Sequence, residues 1–345
     1  MDREEAIRET AAGREATVGE VSRQGAGRER TGREPAGAPA PADAARPAPA
    51  SAIRLDAVVR RQGTFTLGPL NMTVPTGLVT GFVGPNGAGK TTAIKAMLGM
   101  VGIDAGSISV LGGAPGARHG RIGVVLDRLA LSRDWTAVSA ARSLERFYPD
   151  WDQDLLDDLL TRLDVPPRVK IKDLSRGQGV KLQLALALAH RPELLILDEP
   201  TSGLDPVARL EVLDILRDFL IAEGRTVLFS THITSDLERI ADHLHIIGAG
   251  RTRFAGTLPD LVEQWAMARG PVSALTPETE AVLTGTRRNG AGAFAGLIRT
   301  ADTAVFGPDV LIEPPSIDEA VVAMTRGPEP DRRSARSAAE LAEKH

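Results

Sequence analysis

The 345-residue sequence contains no cysteine, and it has no apolar run close to the length of a membrane-spanning helix. The missing thiols exclude disulfides, thiolate zinc sites and a cysteine nucleophile. A helix that crosses a bilayer needs about 18 to 20 apolar residues. The N-terminal stretch MDREEAIRET also lacks the apolar centre of a signal peptide. We therefore expect a protein that is made and kept in the reducing cytoplasm.

An excess of positive charge is missing as well. The formal net charge is -4 at pH 7, with 41 Lys and Arg against 45 Asp and Glu. This mild acidity argues against a general nucleic-acid binder, which usually carries a basic face. The length fits one or two globular domains with enough residues for a buried core.

Composition divides the chain into several parts. Residues 1–50 are rich in Ala, Gly, Pro, Arg and Glu and almost free of Leu, Ile and aromatic residues. Such a segment cannot bury enough apolar surface to offset its ordering entropy, so we predict a disordered tail there and another at 328–345. Between the tails we predict a main domain over 51–262, with a helical part at about 128–175, and a small appended α/β piece over 266–327.

Apolar strands and amphipathic helices alternate along the main domain. This alternation predicts an α/β fold with a mainly parallel sheet. A capped helix is also expected at 316–325. The predicted strands lie at 53–59, 78–83, 107–111, 122–126, 194–197, 226–230, 244–247 and 251–254. The predicted helices lie at 90–98, at 206–220 and over most of 136–190.

The segment GPNGAGKT at residues 84–91, called the phosphate loop below, fits the pattern G-x-x-x-x-G-K-[ST] between a predicted strand and a predicted helix. Glycines let backbone N–H groups surround phosphate oxygens, and the helix N-terminus adds partial positive charge. Lys90 should reach the β- and γ-phosphates, while the hydroxyl of Thr91 should bind Mg²⁺ and Thr92 adds a second donor. The remaining predicted ATP contacts are Gly84, Pro85, Asn86, Gly87, Ala88 and Gly89.

Two adjacent carboxylates follow the apolar strand in LLILDE, at the strand end where ligands of open α/β sheets bind. Asp198 suits a contact to Mg²⁺, directly or through water. Glu199 would then face the γ-phosphate and the attacking water, as general base or as a group that orients the water. His232 follows the predicted strand 226–230 and is placed to contact the γ-phosphate.

The segment LSRGQ at residues 174–178 carries no acid, base, thiol or metal ligand, yet it is small and polar. Ser175 and Gln178 match a capping box that starts an apolar helix. A helix N-terminus with a serine hydroxyl and a glycine N–H is also an anion-binding site. The segment alone leaves both explanations open.

Four motifs, GPNGAGKTT, LSRGQ, LLILDEP and STH, occur in this order, together with SGLD at 202–205. As a set they resemble the ATP-binding subunits of ABC transporters over about residues 53–260. The likeness is greatest to bacterial single-domain subunits that pair with small drug- or lipid-exporting membrane proteins. It implies a P-loop NTPase with a RecA-like parallel-sheet core, an antiparallel β subdomain, a helical signature subdomain and a small C-terminal α/β extension.

The resemblance also implies partners and roles. Two such domains dimerise head to tail around two ATP molecules and drive a separate transmembrane permease, which places the subunit on the inner face of the membrane. The implied catalytic residues are Glu199, His232 and Lys90. Thr91 and Asp198 are the implied Mg²⁺ contacts. The LSRGQ contacts to ATP on the other subunit come from Ser175, Gly177 and Gln178.

Three positions depart from the family pattern. The family often has an aromatic residue near position 62 that stacks on adenine; this chain has Gln62, with Phe65 as a candidate substitute. Asp127 stands where a glutamine usually links Mg²⁺ and water to the membrane subunit, so it is a candidate metal ligand, directly or through water. Arg176 replaces a glycine, and we expect its side chain to face solvent.

Two alternatives to a transport subunit remain. A soluble ABC-type ATPase of translation usually has two sets of motifs, and one of DNA maintenance has a long coiled coil or zinc module between them; this chain has neither feature. A weakly hydrolysing regulatory subunit is the other alternative, because of the three departures.

Overall fold

The computed structural model describes residues 51–127 and 131–325. The tails predicted at 1–50 and 328–345 lie outside the described residues. The strands are β1 Ser51–Gln62, β2 Phe65–Pro75, β3 Val79–Val83, β4 Ala105–Val110, β5 Ile122–Val125, β6 Leu194–Asp198, β7 Thr226–Thr231, β8 His243–Gly248, β9 Arg251–Thr257, β10 Trp265–Pro271, β11 Thr284–Arg288, β12 Ala293–Arg299 and β13 Leu311–Glu313. The α-helices are α1 Lys90–Met97, α2 Ala137–Leu144, α3 Gln153–Arg162, α4 Arg176–Leu188, α5 Pro206–Leu220, α6 Thr234–Ile240, α7 Leu258–Gln264, α8 Pro277–Val282 and α9 Ile317–Thr325.

A six-stranded sheet in the order β5-β6-β7-β3-β8-β9 forms the centre of the molecule. Its strands pair in parallel except β9, which runs antiparallel to β8. β3, β6 and β7 are buried along their whole length. Such continuous burial is typical of parallel strands covered by helices on both faces. The predicted α/β fold with a mainly parallel sheet is confirmed.

A second, antiparallel sheet has the order β2-β1-β4 and packs over α1. The sequence analysis did not predict β2. Its segment contains Gly68, Pro69 and Pro75, which usually mark turns or sheet edges. Leu67, Leu70, Met72 and Val74 nevertheless alternate into the core.

The helical region between β5 and β6 depends on side-chain caps. Thr136, Asp152 and Ser175 each accept a backbone N–H from the first turn of α2, α3 and α4, respectively. Leu156, Leu159 and Leu160 of α3 are buried. Residues 128–130, at the start of the predicted helical part, lie outside the described residues. No helix within 51–127 and 131–325 is long and apolar enough to cross a membrane.

The C-terminal part forms an antiparallel sheet in the order β11-β12-β10-β13. The sequence predicted a small α/β piece here without bounds for its strands. The helix expected at 316–325 is α9, and its residues Ile317, Ala320 and Met324 belong to the same core as the helices of the central sheet. The domain boundary near residue 266 stays a prediction, because α9 returns to the main core.

Gly250, in the turn after β8, lies against the antiparallel sheet, and a substitution there tests how close this contact is. Its φ is +76°, and a Cβ there would stand 2.3 Å from the carbonyl oxygen of Thr66. We expect Gly250→Ala to lower the free energy of unfolding by about 3 kcal/mol, from left-handed strain plus overpacking. Gly224 has φ +78° with nothing within 4 Å, so Gly224→Ala should cost only about 1 to 2 kcal/mol of strain. Urea unfolding measures both; equal losses would contradict the close contact.

Candidate nucleotide-binding site

The phosphate loop connects β3 to α1 at the carboxyl edge of the central sheet. A Cβ at Gly84 would stand 2.2 Å from the carbonyl oxygen of Ile247, so only glycine fits there. Gly87 and Gly89 have φ of +79° and +109°, in the left-handed region that glycine adopts without strain. Pro85, Asn86 and Gly87 are exposed at the top of the loop. The backbone is therefore open to a ligand just where α1 begins.

The ammonium group of Lys90 lies inside this loop. Lys90 is 5% exposed, and its Nζ donates to the carbonyl oxygen of Gly84 at 2.7 Å. The same Nζ is 3.3 Å from Oε1 of Glu199 at the end of β6. The loop cation and the carboxylate expected to act on water thus form an ion pair.

The carboxylate of Asp198 is held by hydroxyls from two neighbouring segments. Thr91 Oγ1 donates to Asp198 Oδ2 at 2.8 Å, and Ser230 Oγ donates to Oδ1 at 3.0 Å. Burial raises the pKa of the Asp198 carboxyl, while these two hydrogen bonds act in the opposite direction. Ser230 is the first residue of the STH motif, but the sequence analysis assigned it no role, because the motif does not show that its hydroxyl reaches Asp198.

The oxygen atoms of Thr91 and Asp198 form a ligand pair that suits Mg²⁺. Within 51–127 and 131–325, no group of three or more His, Cys, Asp or Glu side chains is placed to hold a metal. Mg²⁺ usually binds through one or two carboxylates together with substrate phosphates and water. The pair beside the phosphate loop therefore fits a magnesium ion that arrives with a nucleotide.

Glu199 and His232 meet at the same edge of the sheet. His232 Nδ1 is 2.6 Å from Glu199 Oε2. Glu199 has φ +55°, and its backbone N–H donates to the carbonyl oxygen of Ser230 at 2.9 Å. A non-glycine residue in the left-handed region is held there by its surroundings, a feature that often marks functional positions.

The LSRGQ segment forms the start of α4. Ser175 accepts the N–H of Gln178 at 3.1 Å, and the Gln178 side chain accepts the N–H of Ser175 at 3.1 Å, which completes the predicted capping box. Gly177 lies against the side chain of Leu204, 3.5 Å from the point where a Cβ would stand. Among the described residues, no hydrogen bond or ion pair joins 174–178 to the phosphate loop. The two motifs are thus not joined within one chain.

Two of the departures from the family pattern contact each other. Arg176 Nη2 is 3.7 Å from Asp127 Oδ1, and both side chains are more than half exposed. The Arg176 guanidinium also lies against Gly203, 3.1 Å from the point where a Cβ would stand. Arg176 is thus mostly exposed, in line with the expectation that it faces solvent, and it contacts Asp127 and Gly203 as well. Asp127 offsets a cation placed at the positive end of α4, and its role as a metal ligand stays a prediction.

Phe65 lies at the edge of the phosphate loop. Its Cζ is 3.0 Å from the point where a Cβ on Gly89 would stand. Gln62 pairs with Phe65 across the turn between β1 and β2, so both candidates for an adenine contact lie in one hairpin.

A buried hydrogen bond behind the site was not expected from the sequence. Thr201 Oγ1 donates to Asp236 Oδ2 at 2.6 Å, and both residues are at most 1% exposed. The bond joins the turn after β6 to α6, which begins two residues after His232. Since the two residues are 35 positions apart, only the fold brings them together.

A parallel sheet with a phosphate loop after β3 and paired carboxylates after β6 defines a P-loop nucleoside triphosphatase. The family profile described as ABC transporter matches residues 67–202. The Nod factor export ATP-binding protein I of Rhizobium sp. (strain N33) is 37% identical over 204 residues, which cover 56% of this chain and 67% of the relative. The protein of the same name from Rhizobium johnstonii is 36% identical over 211 residues, or 59% and 68% of the two chains. The chain belongs to the ABC transporter family, as an ATP-binding subunit.

Solved structures agree with this assignment. A structure of the ATP-binding subunit of an ABC transporter superimposes with a TM-score of 0.56 at 26% sequence identity. The match covers 61% of this chain and 92% of the other. A nucleotide-free ATP-binding cassette, at 22% identity and a TM-score of 0.51, shares the fold.

The contact between Arg176 and Asp127 can be measured by a double-mutant cycle. Because both side chains are exposed, we expect a coupling of about 1 kcal/mol or less between Arg176→Gln and Asp127→Asn in urea unfolding. The coupling should decrease as salt is added, since salt screens exposed charges. A coupling that does not respond to salt would contradict the exposed position of the pair.

Proposed function

We propose that this chain is the ATP-hydrolysing subunit of an exporter, in which two copies enclose two ATP molecules and drive a separate transmembrane subunit. The observation that carries the proposal is the convergence of Lys90, Thr91, Asp198, Glu199 and His232 at one edge of the sheet. The relatives named for Nod factor export favour export as the direction of transport. With its partner, the subunit would lie on the inner face of the membrane.

Nucleotide binding begins at the phosphate loop. Its backbone N–H groups and Lys90 bind the β- and γ-phosphates, because both supply positive charge at the start of α1. Lys90 then exchanges its contacts to the Gly84 carbonyl and to Glu199 for phosphate oxygens. A magnesium ion held at Thr91 and Asp198 would neutralise phosphate charge. Phe65 is the residue we assign to stacking on the adenine.

Hydrolysis uses the carboxylate that this exchange frees. Glu199 accepts a proton from the attacking water, whose oxygen forms the new bond to the γ-phosphorus while the bond to the β–γ bridging oxygen breaks. ADP and phosphate are the products. His232, next to Glu199, donates to the γ-phosphate. Asp127, paired with Arg176, would act on the metal only through water.

The second half of each site comes from another copy of the chain. Ser175, Gly177 and Gln178 at the N-terminus of α4 offer a hydroxyl, a backbone N–H and an amide to an anion. Since no described contact joins them to the phosphate loop of their own chain, a head-to-tail dimer gives them a ligand. We assign 51–262 to the ATP-binding domain, with about 128–175 as its helical part, and 266–327 to a C-terminal extension.

The role of Glu199 is tested by Glu199→Gln. We expect ATP turnover to fall by about 100-fold or more, because the general base is lost, while ATP binding is retained and ATP-bound dimers accumulate. Lys90→Ala should instead weaken ATP binding itself. Steady-state ATPase assays, ATP titration and size-exclusion chromatography separate these effects. Turnover of Glu199→Gln at the wild-type rate would refute the proposal, and an inactive wild-type protein would favour a regulatory subunit.

Ser230 should set the magnesium requirement through Asp198. Loss of its hydroxyl in Ser230→Ala leaves the buried carboxylate with one donor fewer, so we expect the Mg²⁺ concentration for half-maximal ATPase to rise about 10-fold. Thr80→Val is the matched control, because Thr80 Oγ1 is buried on the neighbouring strand β3 and has no hydrogen-bond partner in the described part of the chain. An equal rise in both variants would show a general packing effect.

A further inference from the structure

The C-terminal sheet carries a cavity of about 580 Å³ on the face that α9 partly covers. Small-molecule sites in proteins typically have about 300 to 1,000 Å³. A single inorganic ion would fill only a small part of this cavity. Its lining includes Met267, Arg269, Arg287, Ala295, Leu311 and Ala323.

The strand register places two of the lining arginines in one row across the sheet. Arg287 on β11 pairs with Ala295 on β12, Ala295 pairs with Arg269 on β10, and Arg269 pairs with Leu311 on β13. Neighbouring strands are about 4.8 Å apart, so the two arginine backbones are about 10 Å apart. The small side chain of Ala295 leaves the slot between them open.

The two arginines of this row differ in their partners. Arg269 Nε is 3.2 Å from Glu313 Oε2, and its Nη2 also bonds Glu319 on α9. Arg287 has no carboxylate within 4.0 Å among residues 51–127 and 131–325. Its neighbour Arg288 is paired with Glu280. Within those residues the exposed guanidinium of Arg287 is available to an anion that enters the cavity.

Apart from Arg288, Asn289 and Glu319, the rest of the lining is apolar. Met267 is buried in the lining, and Ala293 and Ala295 are half-buried on β12. Leu311 stays 56% exposed at the edge strand β13. An exposed leucine beside alanines gives a ligand an apolar surface to cover, whereas a simple anion would leave it in water.

We propose that this cavity binds a small amphipathic organic anion, with its carboxylate or phosphate group on Arg287 and its apolar part along Ala295 and Leu311. A planar guanidinium binds both of these oxyanions through paired hydrogen bonds. The proposal is independent of the ATPase chemistry. The cavity is connected to the ATP site through α9, because α9 lines the cavity and packs on β8 and α6.

Isothermal titration calorimetry of the full chain with monomeric octyl phosphate and octanoate tests the proposal. We expect both to bind wild type, and Arg287→Ala to weaken binding about tenfold or more through the lost charge-assisted bonds. Arg251→Ala is the matched control, because Arg251 is exposed on β9 outside the cavity. It should bind as wild type does. Octanol lacks the anionic group and inorganic phosphate lacks the apolar chain, so each should bind far more weakly.

Ala295→Leu provides a second variant that keeps both arginines. The larger side chain fills the slot, so binding of octyl phosphate should be lost while the chain stays folded by circular dichroism. Wild type that binds neither ligand, or binding that survives both Arg287→Ala and Ala295→Leu, would overturn the proposal. Inorganic phosphate that binds as tightly as octyl phosphate would overturn the amphipathic character of the ligand.

Vesicles distinguish two sources of the same chemistry. Cosedimentation with vesicles that contain phosphatidic acid, lost in Arg287→Ala, would assign the site to an acidic lipid headgroup. Binding of free octyl phosphate without cosedimentation would assign it to a free metabolite. Cosedimentation that persists in Arg287→Ala, without binding of octyl phosphate, would contradict the site.

Discussion

The arrangement of the nucleotide site depends on the hydrogen bonds that the buried carboxylate of Asp198 accepts. It is 1% exposed and accepts hydroxyls from Thr91 on α1 and Ser230 on β7. A buried carboxyl group without partners is costly, so α1, β6 and β7 must settle where both hydroxyls reach it. The order β6-β7-β3 makes this possible because parallel strands end at the same edge of the sheet. The position of Lys90 follows, since it precedes Thr91 in the first turn of α1.

The ion pair between Lys90 and Glu199 compensates the buried charge of the lysine. A lysine that is 5% exposed needs compensation, and without a nucleotide it finds this in the Gly84 carbonyl and in Glu199. Phosphate oxygens can replace both acceptors with greater negative charge. In the proposed mechanism, the arrival of the γ-phosphate would release Glu199 to act as the base toward the attacking water. His232 also contacts Glu199, so it lies beside the ion pair of Lys90 and Glu199.

The sequence predicts the parts of this site that are coded by local patterns, and not the contacts between them. The glycine spacing around Lys90 and the strand before Asp198 indicate both function and place, because local backbone geometry demands those residues. The hydroxyl of Ser230 and the contact between Arg176 and Asp127 depend on tertiary packing, so no spacing indicates them. The same holds for β2, whose glycine and prolines favour a turn in the sequence although the strand pairs with β1 in the fold. The parallel sheet was predictable because its central strands are mostly apolar and alternate with helical segments.

The position of the C-terminal sheet depends on which elements cover its two faces. One face of its four strands packs on a small apolar cluster that includes Phe294 and Ile298, and the other face packs under α9. A sheet of this size cannot bury enough surface alone, so α9 completes it by joining the core of the central sheet. α9 packs on the side of Leu297 and bonds Arg269 through Glu319, but it leaves Arg287 exposed. α9 and α7 thus join the extension to the ATP-binding core, and α9, which covers only part of the sheet, leaves the cavity beside itself.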